Sequence, residues 1–245
     1  MSEWASRRWW QSVTIQPCTH GFEILLDDRP VQTPNGTNLR VPTETLAARV
    51  AGEWSLVDGI LNPDKLPTTR LSVTAVTLTD SQREIMIGSL LDYLDGDMIC
   101  YRASGPPDLV HRQRLSWDPV LEHYHNVWGE ECVVTIGVMP ISQHEGLSRA
   151  MRARLNAMNA FELVATNEQV KLTTSLLLVM ALRQGWIDSG KTWQLAQLDT
   201  SWQRGRWGDD EEDAVRLAGQ EEQFLQASAF LTAGQQEDCG ALPGS

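Results

Sequence analysis

The sequence predicts an α+β fold, in which a small antiparallel β-rich domain with a covering helix precedes a larger all-α domain. Residues 9–41 alternate apolar and polar side chains between turn sequences, whereas later residues repeat apolar side chains at helical spacing. Pro63 and Pro67 stiffen the connection between the two patterns. We therefore predict domains at 1–65 and 66–234, followed by a disordered tail at 235–245.

The N-terminal part contains three or four short predicted strands. Turn residues at 19–21, 27–30 and 34–36 separate its alternating runs. A sheet this small needs another element on its apolar face. The segment 43–58 supplies a candidate, because Leu46, Val50 and Trp54 recur at helical spacing behind Thr43, a plausible N-cap.

Helix signals dominate the remainder. Capping boxes are predicted at Ser81-x-x-Glu84, Ser142-x-x-Glu145 and Asp209-x-x-Glu212, and Asp118-Pro119 is typical of a helix start. The apolar run 172–182 predicts a buried central helix. Segment 69–80 mixes strand and helix signals, and its helical neighbours favour a helix.

Composition excludes several classes of protein. A net charge of −12 repels nucleic acid and anionic lipid, and no apolar run is long enough for membrane insertion. The four cysteines have irregular spacings that fit neither a zinc site nor a disulfide framework. We expect no metal and no cofactor. The N-terminus lacks a signal peptide or presequence, so we expect a bacterial cytoplasmic protein, or a mitochondrial matrix protein if a presequence has been removed.

One motif suggests an enzyme. Residues Gly185 to Thr192 satisfy the phosphate-binding pattern G-x-x-x-x-G-K-[ST] in full. A P-loop also needs a preceding strand and, later, an apolar strand that ends in a magnesium-binding Asp, and the rest of the sequence offers no such strand. We predict a helix–turn–helix junction here and no catalytic residues, with a P-loop nucleotide-binding enzyme as the alternative function.

Two features favour binding to another protein. The chain has ten tryptophans, and several of them lie close together near its C-terminal end. Most should fill the core, but Trp is also enriched in interface hot spots. The second feature is the acidic run 209–213 at a predicted helix start, which either caps the helix and keeps it solvated or docks a basic partner.

Several elements, in order, resemble one known family. They are Arg8-Trp9-Trp10, the run from Leu26 to Pro34, Glu53-Trp54, Leu66-Pro67-Thr68, the run from Cys100 to Ala103, Gln113 with Trp117-Asp118-Pro119, and Trp202-Gln203 with Trp207-Gly208-x-Asp210-Glu211. Together they are similar to the assembly chaperones for the alpha subunit of F-type ATP synthase. The chain departs from that family at Thr174-Ser175, where Gly-Ser is usual, and at Thr200, where an acid is common.

The resemblance implies a chaperone that is not an enzyme, binds no nucleotide and covers the unassembled alpha subunit until it meets beta subunits. We favour a monomer. A generic interaction domain with another client is the remaining alternative. The candidate partner-binding residues are Glu53, Trp54, Trp202, Trp207, Asp210 and Glu211.

Overall fold

The computed structural model of the chain describes residues 7–208 and 210–235. The strands in these ranges are β1 (Val13–Cys18), β2 (Gly21–Leu26), β3 (Arg29–Pro30), β4 (Arg40–Val41), β5 (Tyr101–Arg102) and β6 (Thr135–Ile136). The helices are α1 (Glu44–Ser55), α2 (Pro67–Val76), α3 (Asp80–Asp95), α4 (Pro107–Trp128), α5 (Glu145–Ala157), α6 (Ala160–Thr173), α7 (Leu176–Arg183), α8 (Ser189–Ala196), α9 (Leu198–Trp207) and α10 (Glu211–Gly234), with short 3-10 helices at Pro63–Lys65 and Met98–Cys100. The predicted α+β class is confirmed.

The chain divides into two compact units. The first contains the described residues up to Leu78, the segment Ala160–Ala165 and the described residues from Gln226 onward, and the second contains Thr79–Asn159 and Thr166–Leu225. The first unit therefore includes α2 and the last turns of α10. The predicted domain division at 65/66 stays a prediction, and the predicted tail lies outside the described residues except for Gln235.

The first unit is built on a four-stranded sheet. β2 pairs antiparallel with β1, β3 and β4. Asp27 and Asp28 both have positive φ, as a two-residue hairpin turn requires. Gly21 also has positive φ, and a Cβ there would collide with the carbonyl oxygen of Val41, so only glycine fits.

Helix α1 covers this sheet as predicted. Thr43 is its N-cap, and the Thr43 side chain accepts a hydrogen bond from the Leu46 N–H. The same hydroxyl donates to the carbonyl of Ala233, and Phe230 stacks on Phe161. The last turns of α10 thus complete the core of the first unit.

The second unit is helical apart from the short parallel pair β5–β6. In the first unit, segment 67–76 is a helix, as favoured above. In the second unit, several predicted boundaries are wrong. The capping box of α3 is Thr79 with Gln82, and α5 starts at Glu145 without a side-chain cap. Helix α4 starts at Pro107 and runs through Pro119, which it tolerates because Pro119 lies on the solvent-exposed side.

The predicted central helix at 172–182 is two helices. Thr174 has a positive φ of 51°, which ends α6, and Ser175 caps α7. The buried Asp97 stabilises this break, because its carboxylate accepts hydrogen bonds from the Ser175 hydroxyl at 2.6 Å and the Leu177 N–H at 2.8 Å. Burial raises the pKa of Asp97 to about 6, against the opposing effect of these hydrogen bonds. Within the described ranges, no helix has the length and apolar character needed to cross a membrane.

Candidate functional site

The junction between α9 and α10 presents two tryptophans at the surface. Trp207 is 73% exposed, whereas Trp202 is half-buried. Their rings meet edge to face, with centroids 5.9 Å apart and an interplanar angle of 88°. Tryptophan is enriched among the residues that contribute most to protein–protein binding, so the exposed Trp207 ring is a candidate contact for a partner.

Asp108 in the first turn of α4 fixes the orientation of this pair. Its Oδ2 accepts a hydrogen bond from the Trp202 indole N–H at 3.1 Å and lies 3.6 Å from a guanidinium nitrogen of Arg206. The Arg206 guanidinium also lies over the Trp202 ring, 5.2 Å from its centroid. Asp108 and Arg206 therefore orient Trp202, and the Trp207 ring packs against it.

Acidic side chains follow immediately in the chain. Asp210 is exposed, and its carboxylate accepts a hydrogen bond from the Glu212 N–H at 3.0 Å, so it caps α10. Glu211 is exposed and pairs with no basic side chain in the described residues. Asp213 pairs with Arg216 at 3.0 Å. Asp209, the first residue of the predicted box, lies outside the described residues.

The other two predicted site residues lie in the first unit and have structural contacts. Trp54 is only 5% exposed, its ring lies 5.1 Å from that of Trp10, and its carbonyl accepts the Trp10 indole N–H at 3.3 Å. The Glu53 carboxylate accepts hydrogen bonds from the backbone N–H groups of Thr68 and Thr69 at 2.6 and 2.8 Å, and so caps α2. A partner-binding role for Glu53 and Trp54 stays a prediction.

Other residues of the family-like elements form a buried network in the second unit. Arg102 is buried, pairs with Asp118 at 2.8 Å and donates to the Gln113 carbonyl at 3.1 Å. Burial lowers the pKa of Arg102, and the charge of Asp118 opposes this effect. Gln113 also donates to Asp199 at 2.9 Å, and the Trp117 indole N–H donates to the Leu195 carbonyl at 3.0 Å. These residues hold α4 against the α8–α9 region that carries the exposed tryptophans.

Sequence reasoning missed Asp108 and Arg206 as parts of the surface site. Arg206 is one residue before Trp207, but nothing in the sequence links either tryptophan to Asp108, which is 94 positions before Trp202. The only local signal is that Asp108 is an acid in a first helical turn, and that position is ordinary.

The P-loop string forms a helix–turn–helix junction, as predicted. Helix α7 precedes it where a P-loop needs a strand, and Gly185 ends that helix with positive φ. The Trp186 N–H bonds to the Ala181 carbonyl at 3.0 Å, which is the Schellman pattern. The Asp188 carboxylate accepts from the Lys191 N–H at 2.7 Å, so an acid already caps α8 where a phosphate would have to bind.

Within residues 7–208 and 210–235, no group of three or more His, Cys, Asp or Glu side chains is arranged to hold a metal ion. The candidate site is the exposed surface at the α9–α10 junction, where Trp207, Asp210 and Glu211 are all exposed.

Comparisons with known proteins agree on one family. A family model described as ATP12 chaperone protein matches residues 7–125. The protein "Protein atp12, mitochondrial" of Schizosaccharomyces pombe is 26% identical over 239 residues, which is 92% of this chain and 82% of the yeast protein.

Solved structures extend the match to the whole fold. The crystal structure of Atp12 from Paracoccus denitrificans superposes with a TM-score of 0.88 at 33% identity, covering 95% of this chain and 100% of that one. A protein from Agrobacterium tumefaciens superposes with a TM-score of 0.87 at 32% identity, covering 94% of this chain and 86% of that one.

Proposed function

Because the chain belongs to the Atp12 chaperone family, we propose that it binds the unassembled alpha subunit of F-type ATP synthase and prevents its aggregation until beta subunits displace it. In this proposal the protein is not an enzyme, binds no cofactor and acts as a monomer. It acts where its client is made or imported, which is the bacterial cytoplasm or the mitochondrial matrix.

The exposed surface at the α9–α10 junction is the observation that carries this proposal. Trp207 offers a large apolar anchor, and the exposed acids Asp210 and Glu211 are three and four positions after it in the chain. Tryptophan is among the residues most enriched in interface hot spots. The acids favour a client surface that is basic or mixed, as the net charge of −12 also does.

The mechanism follows from the physics of an unassembled subunit. A subunit that waits for its partner exposes apolar surface, and such surface aggregates. A chaperone that covers this surface raises the barrier to wrong association. Release requires only that the correct partner bury more apolar area or pair more charges than the chaperone does, so no chemical step is needed.

The first experiment follows aggregation of the alpha subunit by light scattering after dilution from denaturant. We expect the wild-type chain to suppress scattering and the double variant Asp210→Lys/Glu211→Lys to lose most of this activity through charge repulsion. Asp58→Lys/Asp92→Lys makes the same change in net charge at exposed acids elsewhere and should retain activity. Equal suppression by the wild type and the site variant would remove the acidic surface from the proposal.

A second double variant tests whether an effect on capture comes from the lost negative charges or from a lost helix cap. Asp210→Asn/Glu211→Gln removes both charges, but Asn at 210 can still accept the hydrogen bond of the Glu212 N–H. We expect this variant to have the unfolding free energy of the wild type and weakened capture. Unchanged capture would show that binding does not require these two negative charges.

Client identity is tested by co-purification from cells. The alpha subunit should be enriched with the wild-type chain and depleted with the Asp210→Lys/Glu211→Lys variant. Enrichment of a different protein in the same pattern would favour the generic interaction domain with another client.

A further inference from the structure

Arginine side chains lie over the rings of several tryptophans in the described part of the chain. The distances from guanidinium carbon to ring centroid are 3.6 to 5.8 Å for Arg8 over Trp10, Arg29 over Trp9, Arg102 over Trp117, Arg154 over Trp128 and Arg206 over Trp202. In this geometry the positive charge is attracted to the negative face of the indole. The fold therefore covers tryptophan rings with arginine repeatedly, in both units.

The Trp207 ring has no such cation from the described residues. Its side chain is 73% exposed, and its only aromatic contact within residues 7–208 and 210–235 is the edge-to-face contact with Trp202. In an edge-to-face pair the neighbouring ring covers at most one face, so a face of the Trp207 indole is open to solvent. An open indole face attracts a cation, and arginine is the most frequent one in proteins.

The arginines that are close to Trp207 in the chain have other partners. The Arg206 guanidinium lies over Trp202, and one of its nitrogens is 3.6 Å from the Asp108 carboxylate. Arg216 is held in an ion pair at 3.0 Å within the first turns of α10. Arg204 also has a partner within the chain. A cation for the open face of Trp207 is therefore most easily supplied by another molecule.

Negative charge is close to Trp207 in the chain. Three and four peptide bonds join Trp207 to Asp210 and Glu211, so their Cα atoms lie within about 11 and 15 Å of the Trp207 Cα. Both carboxylates are exposed, and Asp210 is engaged in capping α10 through the Glu212 N–H. Glu211 has no basic partner in the described residues. Its carboxylate is therefore available to a cation that the Trp207 ring attracts.

The chemistry of the two groups selects arginine over lysine. A guanidinium is planar, so its face can stack on an indole while the N–H groups at its edge donate to a carboxylate. A lysine ammonium is a compact charge that holds its hydration more strongly and cannot stack. The pairing of Arg206 with both Trp202 and Asp108 shows this double contact within the chain itself.

We propose that Trp207 and Glu211 form a binding site for an arginine side chain of a partner protein. The guanidinium stacks on the open face of the Trp207 indole and donates hydrogen bonds to the Glu211 carboxylate. That this partner is the client, the unassembled alpha subunit, rests on the function proposed above. The site then selects client surfaces on which an arginine is exposed before assembly.

The test titrates the isotope-labelled full chain with Nα-acetylarginine amide and follows the indole and backbone N–H signals by NMR. We expect saturable shifts of the Trp207 indole and Glu211 amide signals. Nα-acetylcitrulline amide has nearly the same shape without the charge and should cause no saturable shift. Nα-acetyllysine amide should bind more weakly than the arginine compound. Absence of saturable arginine binding, or equal binding of the citrulline compound, overturns the proposal.

Variants test the two residues separately. Glu211→Gln should weaken arginine binding by about threefold through loss of an exposed ion pair. Trp207→Leu, followed at the Glu211 amide, should weaken it by about fivefold. Asp92→Asn removes an exposed acid elsewhere in the second unit and should bind as the wild type does. These side chains are exposed, so each variant should keep its melting temperature within about 2 °C. Wild-type affinity in Glu211→Gln or Trp207→Leu overturns the proposal.

A capture assay tests whether the arginine belongs to the client. Treatment of the unfolded alpha subunit with a peptidylarginine deiminase converts its arginines to neutral citrullines, whereas acetylation neutralises its lysines. Capture by the wild-type chain should fall after deimination and persist after acetylation. Undiminished capture of the deiminated subunit overturns the assignment of the arginine to the client. The NMR titration contains no alpha subunit, so the arginine site and the chaperone function can each fail without the other.

Discussion

Two regions of the molecule contain a tryptophan close to an acid, and they use these residues differently. In the first unit, Glu53 caps α2 and Trp54 packs on Trp10 inside the core. At the α9–α10 junction, Trp207 and Glu211 are exposed. Both pairs belong to the family-like elements of the sequence, so the sequence pattern does not tell a residue that stabilises the fold from one that is available to bind a partner. The burial and the hydrogen-bond partners of each residue make that distinction.

The largest expected effect is on stability at Trp54. Trp54→Ala should lower the free energy of unfolding by about 3–5 kcal/mol, because it removes a buried indole and leaves a cavity beside Trp10. Denaturant unfolding monitored by circular dichroism measures this. Trp9→Ala, which removes a neighbouring but exposed indole, should cost much less. A small loss of unfolding free energy in Trp54→Ala would contradict the structural role that we assign to Trp54.

Trp207 should show the opposite behaviour. Trp207→Ala should change the free energy of unfolding by no more than about 0.5 kcal/mol, because the side chain is mostly in water. Capture of the alpha subunit should weaken by about 2 kcal/mol or more, the loss typical of a hot-spot tryptophan. Trp9→Ala is again the control and should leave capture unchanged. If Trp207→Ala unfolds the protein and Trp54→Ala does not, the two roles are reversed.

An effect of intermediate size on the free energy of unfolding is expected at Glu53. Glu53→Ala removes the cap of α2 and should cost about 1–2 kcal/mol of unfolding free energy. The folded fraction should still capture the client normally, because the carboxylate is engaged with Thr68 and Thr69. Asp58→Ala removes an exposed acid nearby and controls for charge. Loss of capture at unchanged stability would instead place Glu53 in the binding surface.

At Thr174 the sequence departs from the family-like pattern, and the backbone there adopts a conformation that is unfavourable for a β-branched residue. It has a φ of 51°, in the left-handed region that glycine adopts freely. Thr174→Gly should therefore raise the free energy of unfolding by about 1 kcal/mol. Thr74→Gly, an exposed position inside α2, should lower it by a similar amount. The same change of sign should appear in the thermal melting temperatures.

The smallest effects are expected in the P-loop string. Asp188→Ala removes the cap of α8 and should cost about 1 kcal/mol, whereas Lys191→Ala should be neutral within about 0.5 kcal/mol. Titration with a fluorescent ATP analogue should give no binding that depends on Lys191. Tight binding that Lys191→Ala abolishes would favour the nucleotide-binding enzyme.

Much of the second unit could be predicted from local sequence, and one of the wrong predictions there has a local cause. The stop at Gly129 and the turn at Gly185 were predictable because the glycines adopt positive φ where helices end. Pro119 was read as a helix start because its ring is compatible with a first turn, but it also fits a solvent-exposed position inside α4. The break at Thr174 could not be predicted, because it depends on Asp97, which is distant in sequence.

The sequence by itself determined the α+β class, the placement of strands before helices in the chain, the absence of a P-loop context and the resemblance to a chaperone family. These follow from periodicity, turn residues and the spacing of motifs, which are properties of neighbouring residues. Only the tertiary structure decided which tryptophans are buried and that Asp108 orients Trp202. Burial and strand pairing depend on contacts between residues far apart in the chain, and no local pattern encodes those contacts.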